Sequence, residues 1–137
     1  MLRLIIFLRP YARYFLIAWL LTIIIVSSIP SIPTLKIQTA KSEIRLDYLI
    51  HFCEYGILAG MAFLTFVNSE FKISNKKIVL ITILLLLFAV LDEYHQKFIP
   101  GRAFNMKDIY SNMVGILGAL VFCVVVFRII SRKKSLF

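Results

Sequence analysis

Four long apolar runs leave this chain few ways to fold. They cover Tyr14–Ile29, Leu46–Val67, Ile78–Leu91 and the stretch from Asp108 to Ile130. Crossing the ~30 Å hydrocarbon core takes about 20 helical residues at 1.5 Å each. In lipid, only helices and closed barrels satisfy every backbone polar group. The third run is too short alone, so it spans only if its helix continues through Asp92–Gln96. A chain that is 61% hydrophobic and 17% charged has no soluble core to match these runs. The expectation is an all-α integral membrane four-helix bundle. It forms one domain over residues 1–137, with spans at about 11–29, 46–67, 78–94 and 109–130.

The ends of the runs agree with this. Arg3, Arg9 and Arg13 precede the first run, and Leu2–Leu8 is itself apolar. No small-x-small cleavage site follows, so the segment reads as an uncleaved membrane helix, kinked or started at Pro10. The sequence SSIPSIP (27–33) ends it. The connection from Thr34 to Arg45 is polar, Asn68–Lys77 is a basic loop, and Pro100-Gly101 breaks the chain after the third run. Gly56 and Gly60 are four apart on the second helix, and Ser111, Gly115, Gly118 and Ala119 form a small-residue stripe on the fourth. Such stripes let helices approach closely. The net charge of +9 sits at run ends, which argues for anionic lipid as the partner and against nucleic acid. Cys53 and Cys123 lie at different depths, so both read as free thiols.

Orientation follows from the basic residues. Ten of the 16 Lys and Arg fall at the two termini and in the 68–77 loop, which places both termini in the cytoplasm. Six of the seven acidic residues, all but Glu70, fall in or beside the two outer connections. With four spans, the start of the second helix, the end of the third and the start of the fourth share one face. Three polar stretches therefore converge. Asp47, His51 and Glu54 share one side of the second helix at i, i+4 and i+7. Asp92, Glu93, His95 and Gln96 end the third, and Arg102, Asp108 and Asn112 follow.

An ionisable group inside a membrane helix is expensive and marks a functional site by default. Glu54, in an apolar setting, suits a proton donor, and His51 or His95 a proton shuttle. Asp92 and Glu93 complete the acid–base candidates. Arg102 has the fork geometry for a phosphate or pyrophosphate, with Asp47, Gln96, Asp108 and Asn112 as further binding candidates. For Asp108 and Asn112 a structural role, capping and bridging, weighs more. A metal would draw on His51, Glu54, His95 and Asp92. However, His51-x-x-Glu54 is half of a zinc motif and the chain has two histidines, so no metal or cofactor is expected. No convincing nucleophile accompanies these groups. A catalyst acting on a lipid-linked substrate and a non-catalytic binder or ion-pair scaffold therefore both stay open. Proton conduction is disfavoured because the third run is aliphatic toward the inner face.

The pattern resembles the VanZ-like family of bacterial membrane proteins. Asp47 is followed by His51-Phe52 and Tyr55-Gly56. Asp92-Glu93-Tyr94-His95-Gln96 leads to Phe98, Pro100, Gly101 and Arg102, and Asp108 to Asn112, Gly115 and Gly118. Where many members carry Ser, this chain has Asn105. The resemblance spans roughly Asp47 to Ala119. It implies a multi-pass protein of the bacterial cytoplasmic membrane with a cell-envelope role. The founding type is associated with reduced susceptibility to the glycopeptide teicoplanin. The implied partners are membrane lipid and a lipid-linked cell-wall intermediate or glycopeptide. It implies no particular reaction.

Overall fold

The computed structural model describes residues 2–31, 36–38 and 43–134. Helix α1 (Leu2–Leu8), a turn of 3-10 helix at Arg9–Tyr11 and α2 (Ala12–Ser27) together make the first span. It is followed by α3 (Asp47–Phe66), α4 (Asn75–Gln96) and α5 (Met106–Lys134). All four spans are long and apolar enough to cross a membrane, the first over Arg3–Ser27.

Pro10 neither starts the first span nor stops it. It occupies the start of the 3-10 turn, where the missing N–H has no helical partner to lose, so the helix extends upstream through Leu2–Leu8. The helix ends at Ser27, at the serine pair of SSIPSIP. Helix α4 begins at Asn75, three residues ahead of the aliphatic run, because the Ser74 hydroxyl caps it by accepting from the Lys77 N–H at 3.4 Å. It continues to Gln96, so the polar end of α4 completes the crossing.

Between the first two spans lies a feature absent from the sequence reading. Strands β1 (Lys36–Gln38) and β2 (Glu43–Arg45) pair antiparallel, with Ile37 opposite Ile44. The remainder of the 34–45 connection lies outside the described residues. The membrane body is all-helical.

The outer faces of the spans are apolar and exposed, as at Ile83, Leu84, Leu87 and Leu91 of α4, while several charged side chains are buried. This inversion suits a lipid solvent and no aqueous one. The core joins Leu58, Ala59 and Phe63 of α3 with Ile81, Leu85 and Ala89 of α4 and Ile116, Val126 and Phe127 of α5. Helix α3 makes its most extensive contact with α5. At their crossing a Cβ on Gly115 would run into the Phe52 carbonyl oxygen, and one on Gly56 would sit 3.5 Å from the Gly115 oxygen. Gly60 and Gly118 have open space instead. The close approach is thus one glycine against one glycine, rather than stripe against stripe.

The first span is tied to the others by polar contacts. Trp19 Nε1 donates to the Glu54 carbonyl at 3.0 Å. At one end of the bundle, Arg9 donates through Nε and Nη2 to the Val67 carbonyl at 3.3 and 3.1 Å, satisfying an oxygen that the end of α3 leaves open. The same end holds the Asn68–Ser74 loop, where Lys134 Nζ reaches the Ser69 carbonyl at 3.1 Å. There the Lys72 ammonium, 2.8 Å from Glu70, holds that exposed carboxyl below its usual range. Cys53 is exposed and Cys123 buried, both free thiols.

Candidate functional site

At the other end of the bundle, the first turns of α3, the last turn of α4 and the first turns of α5 meet. His51 is the hub. Its Nε2 lies 3.8 Å from Asp108 Oδ2 and its Nδ1 4.0 Å from Glu54 Oε2. Those are ion-pair separations, too long for hydrogen bonds. Glu93 reaches the same place from α4. It is fully buried, and its Oε1 accepts the Asn105 backbone N–H at 2.8 Å. His51, Glu93 and Asp108 can each offer one ligand atom, all within 4.8 Å of one another. Asn112, one turn beyond Asp108 on the same face of α5, is also fully buried.

Asp92 belongs to a neighbouring network. Its Oδ2 accepts from the Tyr55 hydroxyl at 3.0 Å and from Gln96 Nε2 at 3.4 Å. Both donors are neutral and buried, so this carboxylate is supported from within the protein. Glu54, half-buried about 10 Å along α3, lies within the electrostatic reach of Asp92 and Arg102.

The remaining candidates are placed differently. His95 is exposed, because each residue turns a helix by about 100° and the face of α4 that buries Asp92, Glu93 and Gln96 turns His95 away. Asp47 is half-buried in the first turn of α3. Arg102 donates through Nη2 to the Val26 carbonyl at 2.8 Å and through Nε to the Ile29 carbonyl at 3.3 Å. It caps the first span, and two of its donors are thereby committed away from an anion. The turn beside it is docked by the Ser31 N–H on the Pro100 carbonyl at 3.1 Å. Gly101 takes a φ of +76° there, and a Cβ would meet the Ser31 hydroxyl.

Two residues of this centre had no role in the sequence reading. Tyr55 lies four residues after His51, on the polar face of α3, and that spacing was its signal. Asn105 caps α5: its Oδ1 accepts the Lys107 N–H at 3.1 Å while its own N–H holds Glu93. Asp108 therefore sits inside the first turn and not at the cap. Ser and Asn serve equally well at that position, so Asn105 in place of Ser keeps the cap.

The ligand set anticipated for a metal, His51, Glu54, His95 and Asp92, is not the one these helices bring together. Only His51 belongs to the converging trio. No match exists among curated proteins or among solved structures. The VanZ/LLP1 family model matches residues 4–128, nearly the whole chain and every element of the polar centre, and the chain belongs to that family.

Proposed function

We propose that this VanZ/LLP1 protein acts in the cell envelope, with a polar centre that receives the anionic or polar head of a lipid-linked envelope substrate. The centre opens to the outer face of a bacterial cytoplasmic membrane, and the protein lowers susceptibility to glycopeptides of the teicoplanin type. The supporting observation is a set of buried polar atoms without hydrogen-bond partners: His51 Nδ1, Glu93 Oε2, and both amide atoms of Asn112. An unpaired buried group costs about 1–3 kcal/mol, and a network built only to lock helices would satisfy itself. Groups left open where the ends of three spans meet suit a ligand that arrives from the bilayer.

The second reading is a non-catalytic scaffold. Asp92 with Tyr55 and Gln96, and Arg102 on the first span, favour it, because these groups are satisfied internally. The two readings part at Glu93 and Asn112. Cells carrying Glu93→Gln or Asn112→Leu at normal membrane levels are expected to lose teicoplanin protection. Full protection in both variants would eliminate the substrate reading and leave the scaffold.

A further inference from the structure

We propose that His51, Glu93 and Asp108 bind a divalent first-row metal ion of the zinc or manganese class, with Glu54 as the carboxylate that orients His51. This goes beyond the substrate reading and does not depend on it.

Three observations converge. The first is position: one imidazole and two carboxylates, from three different helices, offer ligand atoms within 4.8 Å of one another. Ligands about 2.0–2.2 Å from an ion stand up to ~4.4 Å apart when opposed, so small side-chain rotations close the trio around it.

The second is the state of the remaining atoms. Glu93 is fully buried; Oε1 is held by the Asn105 N–H, and Oε2 has no partner. The second oxygen of this buried carboxylate is thus left for a ligand. His51 turns Nε2 toward Asp108 and Nδ1 toward Glu54, at 3.8 and 4.0 Å. A carboxylate behind the second ring nitrogen is the usual support of a metal-binding histidine, fixing its tautomer and raising its basicity. Asn112, fully buried with both amide atoms unpartnered, lies one turn along the same face of α5 from Asp108. Its amide is available to a metal-bound water.

The third is charge. A fully buried carboxylate such as Glu93 is costly unless a cation joins it. Arg102 is tied to the carbonyls of the first span, and Glu93 makes no ion pair with Lys or Arg among the described residues. A divalent ion at the trio neutralises the Glu93 carboxylate directly.

Ligand type narrows the ion. Mixed imidazole and carboxylate ligands suit zinc, manganese or iron(II), whereas calcium and magnesium prefer oxygen alone. With three protein ligands the ion keeps open positions, as in sites that meet substrate or water. Ion entry is from the end of the bundle, where the His51 and Asp108 side chains keep 14% and 10% of their surface exposed.

The test uses the full chain in nanodiscs, stripped by chelator and titrated with Zn²⁺, Mn²⁺, Ca²⁺ or Mg²⁺ alone, with no envelope substrate present. Calorimetry is expected to find about one equivalent of Zn²⁺ or Mn²⁺, and the melting temperature to rise with ion concentration. Binding is expected to vanish in Glu93→Gln and Asp108→Asn, each checked by circular dichroism for helix content. Glu54→Gln should weaken it about 10–100-fold, the usual effect of removing an orienting carboxylate. The chain has two histidines, so His95→Ala controls for adventitious imidazole binding and should leave affinity unchanged. Less than about a tenth of an equivalent in the wild type would overturn the site. So would stoichiometric binding that survives in Glu93→Gln and Asp108→Asn, or a preference for Ca²⁺ or Mg²⁺. Because the readout needs no substrate, its failure is separable from loss of glycopeptide protection.

Discussion

Asn112 is the residue at which stability and function are set most plainly against each other. Both atoms of its amide are buried without a partner. Leucine keeps the branched outline of asparagine, though larger, and strands no polar group, so Asn112→Leu should stabilise the fold by up to about 1–3 kcal/mol, the cost of one unpaired buried group less any overpacking. Thermal unfolding in detergent checks this, with Asn112→Val as the smaller control; a lower melting temperature in both would mean that the amide already has a partner in the folded protein. Glu93 and His95 show where single-residue reading stops. They are two positions apart, yet one is fully buried and the other exposed. The sequence marks both as polar groups at the end of an apolar run. Which one turns inward depends on the rotation of α4, set by Ile81, Leu85 and Ala89 against the core, and no motif spacing encodes that angle. Arg102 is similar. A guanidinium after Pro-Gly reads equally as an anion fork or a cap, and only the position of the Val26 carbonyl decides.

Among elements, the crossing of α3 and α5 carries the site, because His51 and Asp108 lie on these two helices within two turns of it. Gly115→Ala places a methyl against the Phe52 carbonyl, a backbone atom that cannot turn aside. That substitution should push the helices apart, and a zero-length crosslink engineered across the crossing should lose most of its yield. Gly60→Ala and Gly118→Ala meet nothing, and each should be neutral or stabilising by up to ~1 kcal/mol, the difference in helix propensity. The glycines were legible as packing positions. Their unequal weight was not, since a spacing of four within one helix says nothing about which residue the partner helix crosses. The first span teaches the complementary lesson: a proline in sequence suggests a boundary, but in the first turn of a new helical segment it breaks no hydrogen bond.

At the scale of the molecule, the parity of the crossings carried the sequence reading furthest. An even number of spans returns the ends of α3, α4 and α5 to common rims, and the contacts His51–Asp108 and Glu93–Asn105 lie at one rim while Arg9–Val67 and Lys134–Ser69 lie at the other. The distribution of basic residues predicts that the polar rim faces outward, and labelling tests this. In a Cys53→Ser, Cys123→Ser background, Lys97→Cys is therefore expected to react with an impermeant maleimide added to intact cells, and Lys76→Cys only after lysis. The reverse pattern would invert the protein in its membrane. The short β1–β2 ribbon was not legible, because three-residue strands in a mixed polar segment leave no periodicity to detect.

The two arginine caps have a mechanical corollary. Arg9 fastens the first span to the Val67 carbonyl just past α3 at one rim, and Arg102 fastens its other extremity to the α4–α5 turn. Along its flank, α2 fully buries Ala12, Ile23 and Ser27, and packs Leu16, Trp19 and Leu20 against the core half-buried. Helices α3, α4 and α5 thus make a fixed frame, and the first span is a stave clasped top and bottom. Trp19, on the Glu54 carbonyl, is a rivet between the two clasps, so the stave comes loose only when more than one of these fastenings is undone.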